Sequence, residues 1–110
     1  MRRRFIAIFV ALGLTATSAS ASDQGPGYIT TVQFAGSRVL FYVDAPRTTR
    51  PACDCCGRWE IDASNTTGQS QLSILLTAYS LRKPVQIYGT GTCVPGSNDT
   101  EGVNLFTTAG

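Results

Sequence analysis

From residue 22 onward, apolar and polar residues alternate in short runs, and only one stretch repeats with a helical period. Residues 28–34 are aromatic and β-branched and predict a first strand. Gly36-Ser37 suits a two-residue hairpin turn. Val39-Leu40-Phe41-Tyr42-Val43 then returns as a second strand. In it Val39, Phe41 and Val43 share one face, and Leu40 and Tyr42 share the other. Residues 44–50 contain Pro46 and read as a loop. Trp59 and Ile61 alternate with Glu60 and Asp62, which predicts a third strand over residues 58–63 with Trp59 in the core.

One helix follows. Leu72, Leu75, Leu76 and Tyr79 recur on a single helical face and are expected to cover the sheet. Thr66 with Gln69 three residues later fits a capping box at its start. Arg82 and Lys83 suit its carbonyl-rich end, and Pro84 stops it. Val85-Gln86-Ile87-Tyr88 and residues 103–107 complete the pattern as strands four and five. Asp23-Gln24-Gly25-Pro26-Gly27 and residues 94–102 read as loops. Three strands, a helix and two strands is the order of an OB-fold, a small, partly open five-stranded barrel. A flat α+β sandwich would give the same string.

The first 21 residues belong to a different pattern. Met1-Arg2-Arg3-Arg4 is basic, residues 5–14 are apolar, and Ala19-Ser20-Ala21 fits the small-x-small cleavage rule. The apolar run is about ten residues, half of what a bilayer-spanning helix needs. The expectation is a signal peptide over residues 1–21, of bacterial type, and a single domain over residues 22–110 that is secreted or periplasmic. No stable membrane insertion is expected.

Removing that segment reverses the charge. The whole chain has 9 Lys+Arg against 7 Asp+Glu, for a net charge of +2. Arg2, Arg3 and Arg4 leave with the leader, so six basic residues face seven acidic ones. Only Arg82 and Lys83 are adjacent. That excludes the clustered basic surface of a nucleic-acid binder.

Four cysteines remain: Cys53, Cys55, Cys56 and Cys93. In a short exported chain this reads as two disulfides stapling a small core. The pairing favoured is Cys53–Cys56 with Cys55–Cys93. The second choice is Cys56–Cys93 with Cys53–Cys55. A bridge between the neighbours Cys55 and Cys56 ranks last, because it closes a strained ring. A metal site is not expected, since there is no histidine and Cys93 stands alone. A redox role for Cys53-Asp54-Cys55-Cys56 lacks the strand-to-helix setting of a thioredoxin motif.

The stretch from Gln69 to Tyr88 carries a resemblance, through Gln71-Leu72-Ser73-Ile74-Leu75-Leu76-Thr77-Ala78-Tyr79, a short polar turn and Lys83-Pro84-Val85-Gln86-Ile87-Tyr88. Together with the OB-like order, this stretch resembles the receptor-binding B subunits of secreted bacterial toxins of the subtilase-cytotoxin and typhoid-toxin type. It covers about a quarter of the domain, and the Cys53-Asp54-Cys55-Cys56 cluster departs from the pattern. The resemblance implies a non-catalytic module that forms rings and binds host glycans. The alternative is a structural or protein-interaction domain acting on an exported partner.

A sugar site needs an aromatic platform. Tyr42 and Tyr88 fall on the polar faces of their strands and are the candidate ligand-binding residues. Catalysis is not expected. Without histidine the usual general base is missing, and no cofactor motif is present. Gly89-Thr90-Gly91-Thr92 lacks the lysine and following helix of a phosphate loop. Glu60 and Asp62 share a strand face about 7 Å apart, a separation glycosidases use. The plainer expectation is that both are solvated charges. Asn65-Thr66-Thr67 and Asn98-Asp99-Thr100 are formal glycosylation sequons, of no consequence in a bacterial host.

Overall fold

The computed structural model describes residues 22–109; the segment read as a signal peptide lies outside them. The domain is mainly β with one helix, in the order β1 (Asp23–Gly27), β2 (Ile29–Ala35), β3 (Arg38–Val43), β4 (Trp59–Asp62), α1 (Thr66–Leu81), β5 (Val85–Cys93) and β6 (Glu101–Thr108). All six strands form one curled sheet in the order β1-β5-β6-β4-β3-β2. Neighbours run antiparallel except β4 and β6, which are parallel.

Six strands stand where the sequence suggests five. The additional strand, β1, is the Asp-Gln-Gly-Pro-Gly segment read as a loop. Its Gly and Pro residues argue against a strand, yet it pairs through Asp23↔Tyr88, Gln24↔Ile87 and Gly27↔Val85, with an irregularity between Gln24 and Gly27. Pro26 falls in that irregularity, on an edge strand, where a missing N–H costs no ladder bond. Gly25 has φ +122°, and a Cβ there would meet the Val85 carbonyl. Tertiary bonds hold the segment in place. Gln24 accepts from the Trp59 indole N–H at 2.7 Å and donates to the Val43 and Ala45 carbonyls.

β1 and β2 are consecutive in sequence but lie at opposite edges of the sheet, joined only at Tyr28. The sheet curls to bring these edges toward each other. An isolated bridge pairs Gln24 with Arg47, and the Asp44 amide donates to the Tyr28 carbonyl at 3.0 Å. The hairpin between β2 and β3 turns at Gly36-Ser37 as expected, with Gly36 at φ +64°.

Val39, Phe41, Val43, Trp59 and Ile61 line the core, joined by Leu75 and Ala78 from the helix. The helix is rotated from the expected face. Leu75 is buried and Leu72 half-buried, but Leu76 and Tyr79 are exposed. Gly68 sets the rotation, because its backbone packs where a Cβ would strike the Asp62 carbonyl. The N-cap is Asn65, not Thr66; its side chain accepts from the Gly68 amide at 2.8 Å. Arg82 ends the helix in the left-handed conformation at φ 50°.

The disulfides are Cys53–Cys93 and Cys55–Cys56, the pairing ranked last from the sequence. Asp54 explains the difference. Its carboxylate turns inward and accepts from the Cys56, Gly57 and Glu101 amides. Cys93 pairs with Glu101 across β5 and β6, so the anchored loop sets Cys53 opposite Cys93, with Cα atoms 6.3 Å apart. Cys55 and Cys56 are left to each other. Glu101 and Gly102, assigned to a loop by the sequence reading, begin β6.

Candidate functional site

Alternation along β3 and β4 points Val39, Phe41, Trp59 and Ile61 into the core, so Leu40 and Glu60 must point away from it. They are direct neighbours across the two strands. Such positions are normally solvated. Here the chain between β5 and β6 folds over them. Arg38 donates to the Ser97 hydroxyl, and Arg58 bonds Asp99 and Thr100. Val94 and Thr100 close the segment on itself at 3.1 Å. Glu60 is therefore 1% exposed. This corrects the expectation of a solvated charge at that position.

The covering is incomplete and leaves a groove. One lobe, of about 350 Å³, lies between the start of α1 and the β5–β6 connection. Glu60, Asp62, Asn65, Thr67, Gln71 and Thr90 supply its polar wall. A second lobe, of about 210 Å³, lies between the β2–β3 turn at Ser37 and residues 94–96. Glu60, Asp62 and Val94 line both lobes.

The hydrogen bonds within the groove determine what it offers a ligand. Glu60 Oε1 accepts from Arg38 Nε at 2.7 Å. Glu60 Oε2 is buried with no partner. A buried acceptor in that state costs about 1–3 kcal/mol until a donor reaches it. Asp62 Oδ1 accepts from the Ser64 amide at 2.9 Å and hydroxyl at 2.6 Å. Those bonds, the hydroxyl's first, hold its pKa below the ordinary 3.8, so it is ionised at neutral pH. Asn65 Oδ1 is taken by the helix start. Gln71 Nε2 donates to the Val103 carbonyl, which leaves Gln71 Oε1 free to accept. At the rim, Asp99 also has its pKa lowered, first by the Thr100 hydroxyl and more weakly by Arg58 and Arg38.

A second buried charge cluster lies under the cysteine loop. Arg47 pairs with Asp54 at 3.0 Å and Glu101 at 2.5 Å, and its guanidinium lies 3.8 Å from the Trp59 ring centroid. Glu101 Oε2 accepts from the Gly91 amide at 2.8 Å. A Cβ on Gly89 would strike Glu101, so the glycine run makes room for this cluster. Both carboxylates are fully buried and bonded, as structural anchors are. Among the described residues, no group of three or more metal-ligating side chains is placed to hold an ion.

Tyr42 is half-buried on β3, and Tyr88 is exposed on β5. They stand three strand steps apart in the sheet, and neither lines the groove. All four cysteines are oxidised. The sequence does single out Glu60 and Asp62 as a same-face pair, and the structure keeps them together on the groove. Asn65, Thr67, Gln71, Thr90 and Arg38 carry no local signal of a site. Only the docking of α1 and the β5–β6 connection assembles them.

No family model matches this chain, no curated protein does, and no solved structure does. Among the described residues, no helix is long and apolar enough to cross a membrane.

Proposed function

We propose that the chain is an exported, non-catalytic binding module on an OB-type barrel, with a glycan as its ligand class. Strand order supports the barrel. If β1 and β2 are counted as one strand bent at Tyr28, the sheet reads 1-2-3-5-4-1 with strands 3 and 5 parallel and the helix between strands 3 and 4. Export is supported by two disulfides with no free thiol and by the leader-like segment 1–21.

The observation that carries the reading is the groove's position. It lies on β3 and β4, walled by the β2–β3 turn and the β5–β6 connection. OB barrels take oligosaccharides and oligonucleotides on that face, between those loops. Two carboxylates argue against a phosphate backbone and for a hydroxyl-rich ligand. Tyr42 and Tyr88 would then serve only as outlying contacts for a longer chain. A binding role without catalysis accords with the bonds at the acids, since Glu60 is pinned to Arg38 and Asp62 to Ser64.

A glycan array probed with the processed protein tests this reading. Binding that Glu60→Gln or Thr67→Ala weakens, with no sugar released on incubation, supports it. Silence on the array or hydrolysis of a bound glycan rejects it. Native mass spectrometry of the same sample reports whether the module forms the ring that the toxin-subunit likeness implies.

A second reading rests on the apolar side chains that α1 leaves exposed. Ile74 and Leu81 flank its buried side on one edge and Leu76 and Tyr79 on the other, with Leu81 at 65%. Exposed apolar side chains of this kind suit a protein-interaction domain. Pull-down of one exported partner, lost on Leu81→Lys, would favour it over the glycan reading.

A further inference from the structure

The groove has a net charge, and its two carboxylates and Gln71 leave open acceptors in it. Glu60 and Asp62 are its carboxylates. Arg38 balances one of them through Glu60 Oε1 and spends its other end on Ser97. Among the described residues Asp62 has no ion-pair partner; its bonds go to Ser64. One negative charge is therefore left over. Glu60 Oε2 is buried and unpartnered, Asp62 keeps its second oxygen, and Gln71 presents Oε1 because its amide is engaged by Val103. A ligand for this site must bring donors, and a charged donor gains more than a neutral one.

We infer that the groove takes an amino sugar, a hexosamine unit whose amine is free and protonated. Its ammonium sits against Glu60 Oε2, and its hydroxyls donate to Asp62 and Gln71. The 350 Å³ lobe has room for one sugar ring, and the second lobe receives the next unit of the chain. Acidic sugars are repelled by the uncompensated carboxylate. N-acetylation removes both the charge and the small donor and weakens binding. The inference rests on the glycan reading and narrows it to one class.

The test compares the glucosamine trimer with the N-acetylglucosamine trimer, titrated calorimetrically into the processed protein. A trimer of glucuronic acid serves as the anionic control. The free-amine trimer should bind at least about tenfold tighter than the acetylated one, the gain of a charge-assisted bond over a neutral one. Raising salt should narrow that gap. Glu60→Gln should abolish the preference. Should that variant not fold, Asp62→Asn, which keeps a Ser64 bond, must reduce the preference with its melting temperature maintained. Equal affinity for the two trimers overturns the inference, and so does a preference that survives in the folded variants. If a neutral or acidic sugar binds best and still responds to Thr67→Ala, only the amino-sugar assignment falls. If no sugar of any charge binds, here or on the array, the glycan reading falls with it.

Discussion

Gln24 does more for this domain than its residue type suggests. Its amide accepts from the buried Trp59 indole and donates to two backbone carbonyls. Replacing Gln24 with Ala strands one buried donor and removes a donor from two carbonyls. At about 1–3 kcal/mol for a buried group left unpaired, Gln24→Ala should lose about 2–4 kcal/mol in urea unfolding, and Gln24→Glu should rescue only the indole bond. Asp62 offers a pH test. Its folded pKa lies below the ordinary 3.8 because Ser64 bonds the carboxylate. A lowered carboxyl pKa stabilises the fold above 3.8, and that contribution is lost as pH falls through the folded value. Ser64→Ala removes the hydroxyl bond, so it should lower stability near pH 7, and the deficit should close as pH falls below the folded pKa. A deficit of the same size at pH 7 and at low pH would show that the Ser64 hydroxyl does not act through the Asp62 carboxylate.

The helix shows how local rules can reverse in context. Gly to Ala inside a helix normally stabilises by about 1 kcal/mol. At Gly68 an added Cβ would run into the Asp62 carbonyl, so Gly68→Ala should destabilise and lower the thermal midpoint by several degrees. At the other end, Arg82 holds φ 50°, a conformation glycine adopts without penalty. Arg82→Gly should stabilise by about 1 kcal/mol. A gain at residue 68 or a loss at residue 82 would contradict this account of how the helix docks. Legibility follows the same division. The leucine period gives the helix and its length, but four apolar side chains on a short helix do not say which of them face inward. Leu76 and Tyr79 were expected inside and lie outside, because the close approach at Gly68, invisible in the periodicity, turns the helix.

Across the whole molecule, the two disulfides differ in reach. Cys53–Cys93 closes a separation of 40 residues, and Cys55–Cys56 closes a separation of one. In the chain-entropy model the first is worth about 4 kcal/mol and the second only about 1 kcal/mol. The double variant Cys53→Ser/Cys93→Ser should lose most of the domain's stability to chemical denaturant, while Cys55→Ser/Cys56→Ser should remain folded. The reverse order would mean that the cysteine loop, and not the long closure, holds the domain together.

Patterning alone determined the β-rich class, the single helix, the hairpin at Gly36-Ser37 and the core side of β3 and β4, because each follows from the period of adjacent residues. The need for staples also followed, from four cysteines in a short chain. Tertiary structure decided the rest. β1 is a strand only because β5 lies beside it and Gln24 reaches Trp59. The cysteine partners depend on Asp54 turning toward Arg47 and Glu101. Glu60 changes from a surface charge to the floor of a groove because residues 94–100 fold over it. These are contacts between segments far apart in sequence, and the desolvation that gives the groove its chemistry exists only once those segments meet.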